Sequence, residues 1–518
     1  MTSANTRSRV ASAAAARELA ERFDLPFVDL RVVGVVRAAA EAIDARTLVR
    51  ANAVPYAFDG ERLLVAIADP ANVQSVDELR IATRREIGFA VTAREDIEVE
   101  LRNLERQAEA TRRQEVTEDE DFSYEDEDVD ADEDGDSGPL VKLVNSIVWQ
   151  AVEDRASDVH FLPQPDGLLV RLRVDGVLRE LERIPRQRAL AVVSRIKVLA
   201  KLDIAEHRRP QDGRISLRLK DGRQVDIRVS ILPSVEGEGA ILRLLDKSQE
   251  PPTLTEIGLS FPMQMALEQV LTRPTGALLV TGPTGSGKST TLYAALADLA
   301  RPEINAITIE DPVEYRLSGI YQLQVNDKID FDFAKALRSV LRSDPDVVMV
   351  GEIRDRETAE ISMRAALTGH FVLSTLHTND APSAITRLTE MGVEPFVVAS
   401  GVTAVLAQRL ARRLCEHCRE PYQPTADELV KIGLDASVER LWRPGSCDRC
   451  TRGYRGRVGV FQFLVMTEEV CRLAAREAPT HEIEAAAAAA GMRTLLEDGV
   501  EKVIKGLTTV DELRRILI

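Results

Sequence analysis

Hydrophobic spacing changes along the chain and predicts several folded domains. Near the N-terminus, the apolar run 62–68 ends at Asp69-Pro70 and precedes helical spacing over 73–83. This pattern predicts a small α/β domain. Further along, helical spacing at 140–155 and 186–202 is interleaved with strand patterns, which predicts a second, mixed α/β domain.

A hairpin is predicted within this second domain. Two runs in which apolar and polar residues alternate, 214–220 and 223–231, flank Asp221-Gly222. An Asp-Gly pair between alternating strands favours a type I′ turn. Arg214 and Arg228 lie on the two arms, where they could project together toward a phosphate or form part of a solvated strand face.

From about Leu254 the pattern becomes an alternation of strands and helices. The apolar run 277–280 predicts a buried strand, and 290–299 predicts the helix that follows it. This order is typical of a doubly wound α/β core. From about Thr425 the spacing predicts a mostly helical tail.

The 518 residues exceed what one hydrophobic core usually holds. We predict an N-terminal α/β docking domain (1–105), an acidic disordered linker (106–138), a second N-terminal domain (139–250) and a P-loop domain (251–518). The last of these includes a four-cysteine module at 411–455 and the helical tail.

The net charge of −17 is concentrated in the linker. Between Glu115 and Asp136 there are 14 acidic residues and no basic ones, so the rest of the chain is close to neutral. This composition predicts a solvated spacer, with a docking tail for a basic partner as the alternative. The acidic balance does not favour nucleic-acid binding. No apolar run is long enough to span a membrane and no signal peptide is evident, so we expect a cytoplasmic protein.

The most informative motif follows the strand at 277–280. It matches G-x-x-x-x-G-K-[ST], and its flanking strand and helix are those that a phosphate-binding loop requires. Lys288 would reach the β- and γ-phosphates of ATP, and Ser289 would ligate Mg²⁺. The predicted nucleotide-binding residues are Gly282, Pro283, Thr284, Gly285, Ser286, Gly287, Lys288, Ser289 and Thr290.

Clustered acids and a histidine follow strands further along. The apolar run at 346–350 delivers Glu352 at its C-terminal end, a Walker B variant, and the strand at 307–309 leads into Glu310, Asp311 and Glu314. Carboxylates at these positions suit Mg²⁺ and an attacking water. His377 follows the strand 371–375, where a group that senses the γ-phosphate would lie.

Four of the five cysteines form two Cys-x₂-Cys pairs separated by 28 residues. Tetrahedral Zn²⁺ takes four thiolates from two such pairs, and disulfides are disfavoured in the cytoplasm. We therefore predict a structural zinc site formed by Cys415, Cys418, Cys447 and Cys450. Cys471 stands alone and is expected on a helix.

Four features occur in order: the P-loop, the acidic box formed by Glu310, Asp311 and Glu314, the sequence GEIRD at 351–355 and the sequence STLHTND at 374–380. Together they resemble the secretion ATPase superfamily. The chain looks most like type II secretion and type IV pilus assembly ATPases (GspE/PilB-like), over essentially residues 140–518. The resemblance implies a RecA-like core preceded by a PAS-like domain. It also implies a homo-hexamer that hydrolyses ATP to drive pilus or pseudopilus assembly.

The resemblance also implies residue roles. Glu314 would be the general base or water-positioning group, Glu352 the Walker B acid and His377 the functional histidine, while Arg214 and Arg228 would be arginine fingers. The residues alone leave Glu314 and Glu352 as alternative bases. After His160 the chain departs from the family's usual Ile-Glu-Pro, which removes support for a polar role of that loop.

The implied partners are an inner-membrane platform protein and the cytoplasmic domain of an inner-membrane assembly protein. The protein would therefore meet the inner membrane through partners only. Two alternatives stay open at this point: a nucleotide-switched scaffold with negligible hydrolysis, and a DNA-uptake or DNA-transfer ATPase of the same superfamily. The sequence does not separate a secretion client from a pilus client.

Overall fold

The computed structural model describes residues 15–40, 42–60, 62–83, 85–102, 122–124, 138–219, 223–246, 251–430, 432–434 and 438–517. They belong to two compact units. The first comprises 1–248, 415–420 and 443–455, and the second comprises 249–414, 421–442 and 456–518. The cysteine segments 415–420 and 443–455 are grouped with the first unit.

The N-terminal part of the first unit is a small α/β layer, as predicted. Its sheet has the order β1-β2-β3, with β1–β2 antiparallel and β2–β3 parallel. The strands are Ala53–Asp59 (β1), Arg62–Ile67 (β2) and Ile87–Val91 (β3). The helices are Leu30–Val33, Arg37–Ala40, Ala45–Ala51 and Val73–Ala82.

Residues 122–246 of the first unit contain a seven-stranded antiparallel sheet with the order β4-β8-β9-β10-β5-β6-β7. Its strands are Phe122–Tyr124 (β4), Ala156–Gln164 (β5), Gly167–Val174 (β6), Val177–Pro185 (β7), Gln211–Leu219 (β8), Gln224–Ser234 (β9) and Gly237–Asp246 (β10). Apolar side chains alternate along β8 and β9 and pack with the helices Gly138–Glu153 and Arg186–Leu199 in one core. The opposite face of the sheet is left to polar residues.

Two sequence predictions concern segments only partly described. Strands β8 and β9 pair in register as the predicted hairpin, while its tip at 220–222 lies outside the described residues. Within the acidic linker, Phe122–Tyr124 forms the edge strand β4 beside β8, which differs from the disorder expected there. The other linker residues, 106–121 and 125–137, lie outside the described part.

The second unit contains a seven-stranded sheet with the order β13-β12-β14-β15-β11-β16-β19. The strands are Gly276–Thr281 (β11), Ala306–Glu310 (β12), Tyr321–Gln324 (β13), Val347–Val350 (β14), Phe371–Leu376 (β15), Val402–Leu414 (β16) and Tyr454–Val465 (β19). The pairs β11–β15, β11–β16, β12–β13, β12–β14 and β14–β15 are parallel. Their carboxyl ends therefore share one edge, where α/β sheets bind ligands.

Helices cover both faces of this sheet. Ala277 and Leu279 belong to one core, and Leu278 and Val280 belong to the other, so β11 is buried on both sides. A strand buried in this way requires the continuous apolar run that the sequence shows. The longer helices are Phe261–Leu271, Lys288–Leu299, Phe333–Val340, Arg356–Leu367, Ala381–Glu390, Glu468–Ala475, Thr480–Ala489, Leu495–Ile504 and Val510–Leu517, with shorter ones at Pro395–Gly401 and Ala426–Val430.

The helical tail begins later than predicted. Beyond Thr425 the chain first forms Leu441–Arg443 (β18), which pairs with Glu420–Tyr422 (β17), and then β19. Residues 458–464 of β19 are buried without interruption, which stabilises the strand against β16 at the sheet edge. Continuous helices start only at Glu468. In the described part of the chain, no helix is long and apolar enough to cross a bilayer.

Candidate active site and metal centre

The P-loop joins β11 to the helix Lys288–Leu299, as predicted. Gly287 caps this helix with a φ of 86°, a left-handed conformation that glycine adopts without strain. At Gly282, an added Cβ would lie 2.4 Å from the carbonyl oxygen of Gln408, so no side chain fits there. The loop backbone can therefore curl closely around a phosphate at the positive end of the helix dipole.

Polar groups of the loop fit a bound nucleotide. The Lys288 ammonium lies within the loop and donates hydrogen bonds to the carbonyl oxygens of Gly282 (2.9 Å) and Pro283 (3.1 Å). Ser286 is buried, and its hydroxyl has no hydrogen-bond partner among the described residues. Ser289 is exposed in the first helical turn. A triphosphate would supply acceptors for both the ammonium and the orphaned hydroxyl.

The structure brings the Walker B acid and the predicted histidine together beside Lys288. The Nε2 atom of His377 lies 3.6 Å from one oxygen of Glu352, and the other oxygen lies 2.5 Å from the Arg354 guanidinium. Burial lowers the pKa of the Lys288 ammonium, and the Glu352 carboxylate opposes this shift. Burial also lowers the pKa of His377, and the Lys288 charge acts in the same direction. Both effects favour the neutral imidazole, while the Glu352 carboxylate opposes them.

Hydroxyl groups fix the loops that carry these residues. The Thr378 backbone N–H donates to Thr281 Oγ1 at 2.8 Å, which ties the histidine loop to the end of the P-loop strand. Ser374 and Thr375 donate to the carbonyl oxygens of Val350 (2.7 Å) and Gly351 (2.8 Å), which ties it to Walker B. His370, by contrast, lies at the start of β15, where its ring contacts the Ala365 carbonyl oxygen.

The acidic box divides into two parts. Glu310 ends β12 and is buried, bonded to the hydroxyls of Tyr293 and Thr308. The sequence context suggested that Glu310 belongs to an open carboxylate cluster. Because it is buried and hydrogen-bonded, it does not. Glu314 lies in the following loop and is half-buried. Since β12 and β14 are adjacent and parallel, this loop and Walker B leave the sheet at the same edge.

Two further residues at this edge escaped the sequence analysis. Gln408 accepts a hydrogen bond from the buried Thr291 hydroxyl at 2.7 Å, and the guanidinium of Arg409 donates to the Asn379 carbonyl oxygen at 2.7 Å. Burial lowers the pKa of Arg409. The run 402–407 is mostly apolar and ends in Gln408 and Arg409. Polar residues at the end of such a run indicate a site at the sheet edge.

The two predicted arginine fingers lie directly opposite each other. Arg214 of β8 pairs with Arg228 of β9, on the polar face of the first unit's sheet. The same row continues through Arg243 and Asp158 to Arg173 on β10, β5 and β6. The Arg243 Nε donates to Asp158 at 3.2 Å, and Arg173 lies 3.6 Å from the same carboxylate. This row of the sheet therefore carries Arg243 and Arg173 in addition to the two predicted arginines.

The four predicted cysteines converge. Their sulfur atoms all lie within 4.8 Å of one another, and the pairs Cys415–Cys447 and Cys418–Cys450 are 3.8 and 3.6 Å apart. A tetrahedron with Zn–S bonds of about 2.3 Å has edges of about 3.8 Å, so the set fits zinc. Burial raises the pKa of Cys447 to about 12, so a metal ion must displace its proton.

We expect Cys447→Ser to release zinc from a protein that otherwise carries about one equivalent per chain. Because one zinc ion would hold the two Cys-x₂-Cys pairs together, its loss should unfold the segment around 415–450 locally. Nucleotide binding should stay intact. Elemental analysis after purification without chelator measures the metal, and Cys471→Ser is the matched control outside the cluster. Absence of zinc from the unmodified protein would exclude the site.

Comparisons with known proteins agree with this arrangement. A family model described as type II/IV secretion system protein matches residues 133–515, and an MshEN domain model matches 23–111. Type II secretion system protein E of Pseudomonas aeruginosa is 51% identical over 383 residues, 74% of this chain and 76% of that protein. The type IV pilus assembly ATPase PilB of Myxococcus xanthus is 39% identical over 513 residues, 96% of this chain and 89% of that protein.

A solved structure supports the fold. The X-ray structure of the Legionella pneumophila ATPase DotB superposes with a TM-score of 0.53 at 20% identity, over 72% of this chain and 94% of that chain. At this identity the likeness shows a shared fold. The α/β class with a secretion ATPase core, an N-terminal α/β domain and a cysteine cluster, as expected from the sequence, is confirmed.

Proposed function

Because the chain belongs to the type II/IV secretion system protein family, we propose that it is a hexameric ATPase that powers assembly of a type II secretion pseudopilus or a type IV pilus. The observation that carries the proposal is the convergence of Lys288, Glu352 and His377 at one edge of a parallel sheet. The relatives of similar sequence carry both client names. Either client requires ATP hydrolysis coupled to movement of a membrane platform.

The P-loop residues bind and orient ATP in this proposal. The loop N–H groups and the Lys288 ammonium neutralise the β- and γ-phosphates, so negative charge can accumulate during cleavage. Ser289 would hold Mg²⁺, which would supply positive charge that stabilises the phosphates during cleavage. His377, beside Glu352, can donate a hydrogen bond toward the γ-phosphate from the loop fastened to Thr281.

The carboxylates act on the attacking water. Glu314 is the proposed general base or water-positioning group, and Glu352 fills the Walker B role beside the metal. The pairing of Glu352 with Arg354 and His377 favours this division, because a carboxylate that already faces two cationic or donor groups is a weaker base. Glu314 lies half-buried in the loop at the same sheet edge.

Arg214 and Arg228 are proposed to stabilise charge that develops in the transition state. They belong to the first unit and would act on nucleotide after domain closure or in a neighbouring subunit. Their opposed positions on β8 and β9 support joint action. The zinc site would be structural. The inner-membrane platform and the cytoplasmic domain of an assembly protein are the proposed partners, and they would hold a cytoplasmic motor at the inner membrane.

Arg228→Ala tests the motor directly. Hexamers of this variant should bind ATP normally and hydrolyse it at least about tenfold more slowly, equivalent to about 1.4 kcal/mol of transition-state stabilisation. Doping variant subunits into wild-type rings should reduce turnover more than in proportion to their share. Arg218→Ala, on the β8 arm of the same hairpin, is the control. Full turnover by confirmed Arg228→Ala hexamers would contradict the role.

A secretion client and a pilus client can be distinguished in cells. In a strain that lacks the chain, loss of secreted enzymes with pili intact identifies a type II secretion motor, and loss of surface pili identifies a pilus motor. Stimulation of ATP turnover by duplex DNA would instead favour the DNA-transfer alternative.

A further inference from the structure

A buried tyrosine connects the P-loop helix to the acidic box. Tyr293 lies on the helix that begins at Lys288 and is only 1% exposed. Its hydroxyl donates a hydrogen bond to the Glu310 carboxylate and accepts one from the backbone N–H of Glu314 at 3.1 Å. One phenol oxygen thus bridges the end of β12 and the loop that carries the proposed catalytic carboxylate.

Glu310 is the centre of this network. Its carboxylate is 4% exposed and accepts hydrogen bonds from Tyr293, from the Thr308 hydroxyl at 2.6 Å and from the Gln322 amide at 3.1 Å. Both carboxylate oxygens are therefore occupied by neutral donors. A carboxylate solvated by the protein in this way acts as an anchor, since using it as a base would break these bonds.

Gln322 fastens the same loop from its other side. Its amide nitrogen donates to the Tyr315 carbonyl oxygen at 2.9 Å, and its amide oxygen accepts from the Leu317 N–H at 2.8 Å. The rings of Tyr293 and Tyr315 also meet edge to face, with centroids 5.4 Å apart. The backbone of 314–317 is thus held at three points by two side chains that both bond to Glu310.

Burial, reinforced by the Glu310 charge, raises the pKa of Tyr293 well above its usual range. The phenol therefore remains protonated at any working pH and keeps donating to Glu310. Its remaining lone pairs are then free to accept the Glu314 N–H. The network has one stable arrangement of donors and acceptors.

We propose that Tyr293 is a positioning residue for the reaction: its hydroxyl, anchored on Glu310, sets the position of the Glu314 backbone relative to the helix that starts at the phosphate-binding lysine. The inference rests on the proposed function, in which Glu314 acts on the attacking water. Catalytic groups that are displaced by about 1 Å can lose about 10²-fold in rate, so this link governs turnover and not affinity.

Tyr293→Phe in full-length hexamers tests the link, because it removes one oxygen and keeps the ring that packs on Tyr315. We expect kcat to fall about tenfold or more, with KM for ATP and affinity for a fluorescent ATP analogue unchanged within about twofold. Tyr321→Phe is the matched control, because this tyrosine of the same unit is 67% exposed. It should retain full turnover. Gln322→Leu is a second test, because it removes the hydrogen bonds of Gln322 to the backbone of Tyr315 and Leu317. It should also lower kcat without changing KM.

A double-mutant comparison separates positioning from general loss of structure. In a Glu314→Gln background, adding Tyr293→Phe should change kcat by less than about twofold, because the group being positioned is already disabled. Full additivity of the two losses, or a parallel loss of nucleotide binding in Tyr293→Phe, would overturn the inference.

Failure of the proposed function can be distinguished from failure of the positioning role. Normal turnover by Glu314→Gln would overturn the role of Glu314 itself. A large loss in Glu314→Gln together with full activity in both Tyr293→Phe and Gln322→Leu would overturn only the positioning role.

Discussion

Glu314→Gln should lower kcat at least about 100-fold in assembled hexamers while ATP affinity stays within about twofold. The amide keeps the size and hydrogen-bonding reach of the side chain but cannot take a proton from water, and general-base help typically contributes 10²–10⁴-fold. The backbone N–H of Glu314 that bonds to Tyr293 is unaffected by the substitution. Loop geometry should therefore survive, and the loss should reflect chemistry.

Steady-state phosphate release and binding of a fluorescent ATP analogue measure the two quantities. Glu303→Gln, an exposed residue before β12, is the matched control and should behave as the unmodified protein. Glu352→Gln should lose a comparable factor with an altered Mg²⁺ dependence, because that carboxylate is assigned to the metal side. If Glu314→Gln hydrolyses ATP at the normal rate, the base lies elsewhere.

Lys288→Ala should nearly abolish nucleotide binding. Hydrogen bonds to charged groups contribute roughly 1.5–3 kcal/mol each, so losing the contacts of one ammonium with two phosphates predicts at least about a 100-fold increase in Kd. The substitution also leaves the loop carbonyl oxygens of Gly282 and Pro283 without their donor. Ser289→Ala should have a smaller effect, confined to Mg²⁺-ATP.

Titration with a fluorescent ATP analogue measures this loss. Lys335→Ala, which removes an exposed lysine from the helix Phe333–Val340, is the control and should bind as the unmodified protein does. Circular dichroism should show that both variants stay folded. Unaltered affinity in Lys288→Ala would mean that the loop does not bind the triphosphate in the proposed manner.

The parts of the site predicted from sequence are those encoded locally. The P-loop lies between a strand and a helix that are both predicted from adjacent residues. The spacing within each Cys-x₂-Cys pair already indicates a metal site. Arg214 and Arg228 could be matched because one short hairpin fixes their register. In each case the decisive contacts join residues whose relation is set by a single turn or motif.

The parts that were missed depend on contacts between distant segments. Periodicity places Tyr293 on a buried helix face, but only the assembled sheet shows that its hydroxyl meets Glu310. Arg409 on β16 reaches Asn379, which follows β15, because β15 and β16 flank β11, an order that the sequence does not encode locally. Strand β19 was assigned to the helical tail although its continuous apolar run indicates a buried strand.

Phosphate release from Mg²⁺-ATP by assembled wild-type hexamers tests the central claim most directly. The proposed function predicts steady release that requires Mg²⁺, disappears in Lys288→Ala with loss of binding, and falls at least about 100-fold in Glu314→Gln with binding retained. Hexamers that bind ATP tightly but release no phosphate above the Glu314→Gln level would contradict the claim and identify the chain as a nucleotide-switched scaffold.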